Sequence, residues 1–140
     1  MNCSDPATMA IHAAKCELFA RTLRLWGEAR LHVTGTSMVP AIWPGDVLVV
    51  RRERCARMQV GDIAVYLRAG RLFVHRVVQV IEHQDQCWLV TRGDSLQDDD
   101  PPVSESEFLG RVAAVSHRNW IIRLRTFLSA TLPAVPAARS

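Results

Sequence analysis

Lysine is almost absent from the sequence: of 17 Lys+Arg residues only Lys15 is a lysine, and the other sixteen are arginines. No lysine downstream of residue 15 is therefore available as a general base, Schiff-base partner or phosphate clamp. Aromatic residues are also few, at 6%, and they are not interleaved with the basic ones. With a net charge of only +3 spread along the chain, nucleic acid is not an expected partner. Long apolar runs are missing as well, since a spanning helix needs about 20 such residues. The longest uncharged stretches, residues 31–45 and 126–138, are broken by Gly35, Pro40 and Pro44 and by Pro133 and Pro136. Lys15, Glu17, Arg21 and Arg24 interrupt the N-terminal region, so no secretory signal is read there. The expected location is cytoplasmic or peripheral to a membrane. The cysteines, Cys3, Cys16, Cys55 and Cys87, form no CxxC motif. His12/Cys16 and His83/Cys87 are each four apart but lack the further ligands of a zinc site. Four reduced thiols, no metal and no other cofactor are the expectation.

What is present suits one domain. A chain of 140 residues, 49% apolar, is long enough for a modest core. Asp5-Pro6 is a helix start, with an N-cap acceptor and a proline at the first helical position. From there to about Arg30, Ile11, Leu18, Phe19, Thr22, Leu23 and Trp26 fall on one arc, and Glu17, Arg21, Arg24 and Glu28 on the other. This stripe is expected to pack on the domain's own sheet, with a partner protein or a membrane surface as the alternatives. After Leu31 the period shortens. Val47 to Arg51, Ile63 to Leu67, Leu72 to Ile81, Cys87 to Thr91 and Phe108 to Val115 read as strands. Ala69-Gly70 reads as a tight hairpin turn, and Gly45-Asp46, Gly61-Asp62 and Gly93-Asp94 as further turns. From Asn119 onward, Trp120, Leu124, Phe127 and Leu128 oppose Arg118 and Arg125 in a short basic amphipathic helix ending near Pro133. It is expected to pack on the domain or to lie on an anionic membrane surface. The organisation is thus an N-terminal helix (1–30), a compact, mostly antiparallel β core (31–116) and a basic tail (117–140).

The chemistry centres on Ser37. It follows Gly35-Thr36 and precedes Pro40, where a turn can hold a hydroxyl exposed. A serine hydroxyl needs a base, and without lysine the candidates are His12, His32, His75, His83 and His117. His75 alternates with Phe73 and Val77 on one strand face, and the Ala69-Gly70 turn would set it opposite the small Ala64. A carboxylate to orient such an imidazole is available in the acidic segment from Asp94 to Asp100, which alone reads as a solvated loop.

Four blocks in order carry a resemblance. Thr36-Ser37-Met38-Val39-Pro40 with Pro44-Gly45-Asp46, Val60-Gly61-Asp62-Ile63-Ala64-Val65-Tyr66, Val74-His75-Arg76-Val77-Val78, and Thr91-Arg92-Gly93-Asp94 with Asp99-Asp100 are similar to the type I signal peptidases. Within them, the chain resembles the His-containing branch of archaea and the endoplasmic reticulum, and Leu109-Gly110-Arg111-Val112 resembles the closing strand. The resemblance implies a serine endopeptidase with Ser37 as nucleophile and His75 as base. It also implies catalytic roles for Asp94 and Asp100, with Asp99 close enough in register to compete. Met38 and Pro40 would contact a peptide or protein substrate carrying small residues before the cut. Activity would fall as acid protonates the imidazole. The family's transmembrane anchor and large inserted domain are not seen here, and Ser95 stands where asparagine is usual. Self-cleaving repressors and mutagenesis proteins share this β fold, but they use a lysine base and cut upstream of the serine. The only Ala-Gly here, Ala69-Gly70, is downstream. A catalytically silent peptide-binding module on the same fold is the other alternative.

Overall fold

The computed structural model describes residues 5–117, so the basic tail expected from Asn119 lies outside the described residues. Helix α1 (Pro6–Trp26) begins at the expected signal, with the Asp5 carboxylate accepting from the Ala7 amide at 3.2 Å. It stops four residues short of Arg30. Gly27 takes a left-handed φ of 75°, and its amide donates to the Leu23 carbonyl at 2.9 Å, closing the last turn. The chain then leaves as strand β1 (Glu28–His32), and Glu28, whose spacing fitted the helix, instead pairs across strands with Arg51.

The helix packs on the sheet through only part of the expected stripe, its Leu23 and Phe19 end. Its buried side chains are Cys16, Ala20 and Leu23, whereas Ile11, Leu18 and Trp26 are 59, 65 and 81% exposed. Close approach to the sheet selects the face with small residues, and Ala20 is fully buried there. No helix among the described residues is long and apolar enough to cross a membrane.

All strand pairs are antiparallel: β1, β2 (Val47–Arg52), β3 (Ile63–Arg68), β4 (Arg71–His83), β5 (Gln86–Arg92), β6 (Val103–Ser104) and β7 (Phe108–Ser116). They form one seven-stranded sheet in the order β1-β2-β7-β3-β4-β5-β6. The five strands read from the sequence are all there. The hairpin turn is at Ala69 and Gly70, both with positive φ, and it sets Ala64 opposite His75 as the turn position requires. Strand β3 lies mid-sheet and is buried on both faces. Ala64 and Tyr66 join one apolar cluster with Val77, Leu89, Val103 and Phe108. Val65 joins the other, with Leu23, Met38, Ile42, Leu48 and Leu109.

Two features tie the sheet together. β7 threads between β2 and β3, and at Gly110 a Cβ would collide with the Arg51 carbonyl, so only glycine fits that crossing. Below the far end of the sheet, Cys55 and Cys87 form a disulfide. This corrects the expectation of four reduced thiols. Spacing of 32 residues shows no motif, yet a 3-10 turn at Cys55–Arg57 lies beside the start of β5 and buries both sulfurs in one cluster. Cys16 remains a free, buried thiol.

Two stability measurements follow. Gly110→Ala is expected to cost about 1 to 3 kcal/mol or more through overpacking, read as a lower urea midpoint with an unchanged m-value. Reducing the disulfide should cost about 2 to 4 kcal/mol, and Cys55→Ala should make stability insensitive to reductant.

Candidate active site

Ser37 is set by the turn between β1 and β2. The Val39 amide donates to the Thr36 carbonyl at 3.1 Å, the Val39-Pro40 bond is cis, and Met38 anchors the turn in the core at 3% exposure. Met38 was expected to contact substrate. Its side chain is instead taken up by the cluster of Leu23 and Ile42, because the position after the serine points inward. Pro40 is exposed, and its carbonyl accepts from the Trp43 indole at 2.9 Å.

His75 comes from mid-β4. Its neighbours on the same face are Phe73 and Val77, and the ring is only 5% exposed, with Tyr66 and Phe73 rings edge-on at 6.4 and 6.0 Å. The small Ala64 opposite leaves room for it. The Ser37 Oγ lies 3.1 Å from His75 Nε2, and His75 Nδ1 lies 2.5 Å from Asp100 Oδ2. With the proton on Nδ1, the ring donates to the carboxylate and leaves Nε2 to accept from the serine.

Asp100 is fastened on its far side. Its amide donates to the Thr91 carbonyl at 2.8 Å, and the Thr91 hydroxyl donates to its Oδ2 at 2.7 Å. Thr91 has a single hydroxyl hydrogen, and the shorter contact takes it. The 3.4 Å contact between Thr91 Oγ1 and the Tyr66 hydroxyl is then one in which the phenol donates. Burial, with the Asp100 charge adding to it, pushes the Tyr66 phenol up to about 12.

The other acidic residues face other cations. Asp94 receives a bidentate pair from Arg76, Nε and Nη2 each at 2.8 Å, and that pairing raises the Arg76 pKa. Arg76 also donates to the Gly61 carbonyl at 2.8 Å. Asp99 accepts from Arg92 at 2.7 Å. The structure thus gathers Ser37, His75 and Asp100, and places Asp94 on the neighbouring arginine instead of the imidazole.

Several contributors were not read from the sequence. A Cβ on Gly93 would lie 2.8 Å from the Ser37 carbonyl, so this glycine serves close approach and is not a left-handed turn. Ser95 is bonded to the serine turn twice. Its amide donates to the Ser37 carbonyl and its hydroxyl to that of Thr36, each at 2.9 Å, clasping the serine turn. Thr91 and Tyr66 were legible only through parity, as polar groups on inward strand positions.

Elsewhere, His12 Nε2 lies 3.7 Å from Cys16 Sγ, and His117 Nδ1 lies 2.9 Å from Asp46 Oδ2. Among the described residues, only Cys55, Cys87 and Glu105 cluster as metal ligands would, and bonding between the two sulfurs removes both thiolates from such a set. Two cavities, of about 390 and 610 Å³, flank that disulfide and include neither Ser37 nor His75.

An antiparallel β domain that aligns a serine, a histidine and a carboxylate in one hydrogen-bonded row has the layout of a serine peptidase. The chain belongs to the Peptidase S24-like family, whose sequence profile matches residues 27–113, and so to the superfamily of repressor and signal peptidases. Comparison with curated proteins gave no match.

Tyr66 is the sole tyrosine, so its titration is directly visible. Phenolate absorbance of the folded protein should rise only near pH 12, against 10.0 for an ordinary tyrosine. Because the folded value is raised, its stabilising contribution is complete below pH 10 and is lost as pH climbs toward 12. A folded-state phenol that titrates at its ordinary value would contradict the burial of Tyr66 beside the Asp100 carboxylate.

Proposed function

We propose that the chain is a serine endopeptidase of the His-containing, signal peptidase-like branch, cutting after small neutral side chains. The observation that carries this reading is the unbroken row Ser37 Oγ, His75 Nε2, His75 Nδ1 and Asp100 Oδ2, at 3.1 and 2.5 Å. As a substrate carbonyl approaches, Ser37 Oγ attacks and its proton passes to His75 Nε2. The carbonyl oxygen becomes an oxyanion, held by the Ser37 amide and a neighbouring donor. Collapse breaks the C–N bond, and the imidazolium returns the proton to the departing amine. Water, deprotonated by His75, then hydrolyses the acyl-enzyme and restores the serine. Asp100 fixes the ring's tautomer and stabilises its cation.

In this reading the substrate lies extended along the surface, and the exposed Pro40 touches it. Asp94 contributes indirectly in this reading, by holding Arg76 next to His75. Self-cleavage is disfavoured by the missing lysine and by the site of Ala69-Gly70 in the β3–β4 turn. A silent peptide-binding module on this fold is the competing reading, and turnover separates the two.

Purified full chain should hydrolyse peptides with Ala-x-Ala before the scissile bond, with saturable kinetics. Ser37→Ala and His75→Ala should each lower kcat about 10⁴-fold or more, and Asp100→Asn about 10²- to 10⁴-fold. Equal turnover by wild type and both alanine variants would sink the proposal. Tight peptide binding without turnover would establish the silent module.

A further inference from the structure

The acidic loop that supplies Asp100 continues into Pro101-Pro102, two residues with no amide hydrogen. Such a segment cannot secure itself by donating to a neighbouring strand. Its two carbonyls can only accept, and among the described residues the bonds that reach them both come from Arg68 at the end of β3. Nη1 donates to Pro101 at 3.1 Å and Nη2 to Pro102 at 2.9 Å. The same guanidinium grips Glu107, Nε to Oε2 at 2.6 Å and Nη2 to Oε1 at 3.1 Å. Glu107 is itself held. Its carbonyl accepts from Leu67, and its Oε1 accepts from the Ser104 amide at 3.2 Å.

We propose that Arg68, held in orientation by Glu107, is a positioning residue that clamps the diproline carbonyls and so fixes the Asp100 carboxylate against His75. This rests on the peptidase reading above and deepens it. Arg68 touches neither Ser37 nor His75, and it acts through the loop backbone. The arrangement is mechanically sound for three reasons. The pair is only about a quarter exposed on each side, 25 and 27%, so water competes weakly with it. The guanidinium plane lies 5.3 Å over Tyr66, whose hydroxyl is part of the row that fastens Asp100, so one cation braces both supports of the carboxylate. The Arg68 bonds also hold the Glu107 carboxyl down at about 2, so the clamp stays ionised at any pH where an imidazole can act as base. A flat fork with five donors is required, because a lysine cannot reach a carboxylate and two separate carbonyls together.

The test reads the His75–Asp100 bond directly and turnover separately, on the full chain. A proton shared between a ring nitrogen and a carboxylate gives a low-field proton NMR resonance, assigned by its loss in His75→Ala. In Arg68→Ala that resonance should broaden or vanish, and kcat should fall about 10- to 100-fold with KM changed less than about twofold. Arg68→Lys keeps the charge beside Glu107 but not the fork, and should show the same spectral loss with a smaller drop in Tm; it serves where the alanine variant folds poorly. A resonance unaltered in either folded variant overturns the clamp. Wild type that shows the resonance but no turnover, with Arg68→Ala removing the resonance, sinks the peptidase reading and leaves the clamp standing.

Discussion

The contact between Ser37 and His75 joins residues 38 apart in sequence over 3.1 Å, and it can form only if two separately rooted segments arrive in register. Ser37 is carried by a turn whose Met38 is sunk into one apolar cluster, and His75 by a strand whose Phe73 and Val77 pack on the other. β3 belongs to both clusters, with Val65 facing one and Tyr66 the other, so it couples the two roots. A change in its register by one residue would exchange its faces and part the serine from the histidine. This central strand, buried on both faces, is what holds the two side chains within reach of each other.

The third member is supported differently. Asp100 sits outside regular structure, and its position comes from polar contacts instead of packing: Thr91 through backbone and hydroxyl, Tyr66 behind Thr91, and Arg68 beyond the diproline. Each of these partners is a strand residue at or near the end of β3 or β5. The site therefore combines two members rooted in apolar clusters with one held by a directional network.

The strands and the hairpin were legible because alternation over five or more residues, bounded by turn chemistry, has few other solutions. His75 could be placed opposite Ala64 because a two-residue turn leaves only one pairing. β1 was hidden, since the charge spacing of Arg24 and Glu28 mimics a helix face and only the geometry of Gly27 ends it. β6 has two residues and no period to read. The Cys55–Cys87 link was missed because a disulfide depends on proximity in space, which a separation of 32 does not disclose. At the site, Ser37 and His75 stand on elements that a pattern can locate. Choosing Asp100 over Asp94 and Asp99 was beyond the sequence, as these three of the four carboxylates within seven residues differ only in which cation or ring each one meets.

The segment from Arg92 to Pro102 has a composition that suggests slack, with four aspartates and two prolines, yet it is fastened at almost every step: Ser95 to the serine turn, Asp94 to Arg76, Asp99 to Arg92, Asp100 to Thr91, and the prolines to Arg68. Its two ends are accordingly held like a span between two bolts, and only the exposed stretch from Leu96 to Asp98 between those anchors has slack. The β4–β5 turn at Gln84 and Asp85, by contrast, projects at the opposite end of the same two strands and holds nothing in place at the serine. The β4–β5 turn is accordingly where added length would disturb the row of Ser37, His75 and Asp100 least.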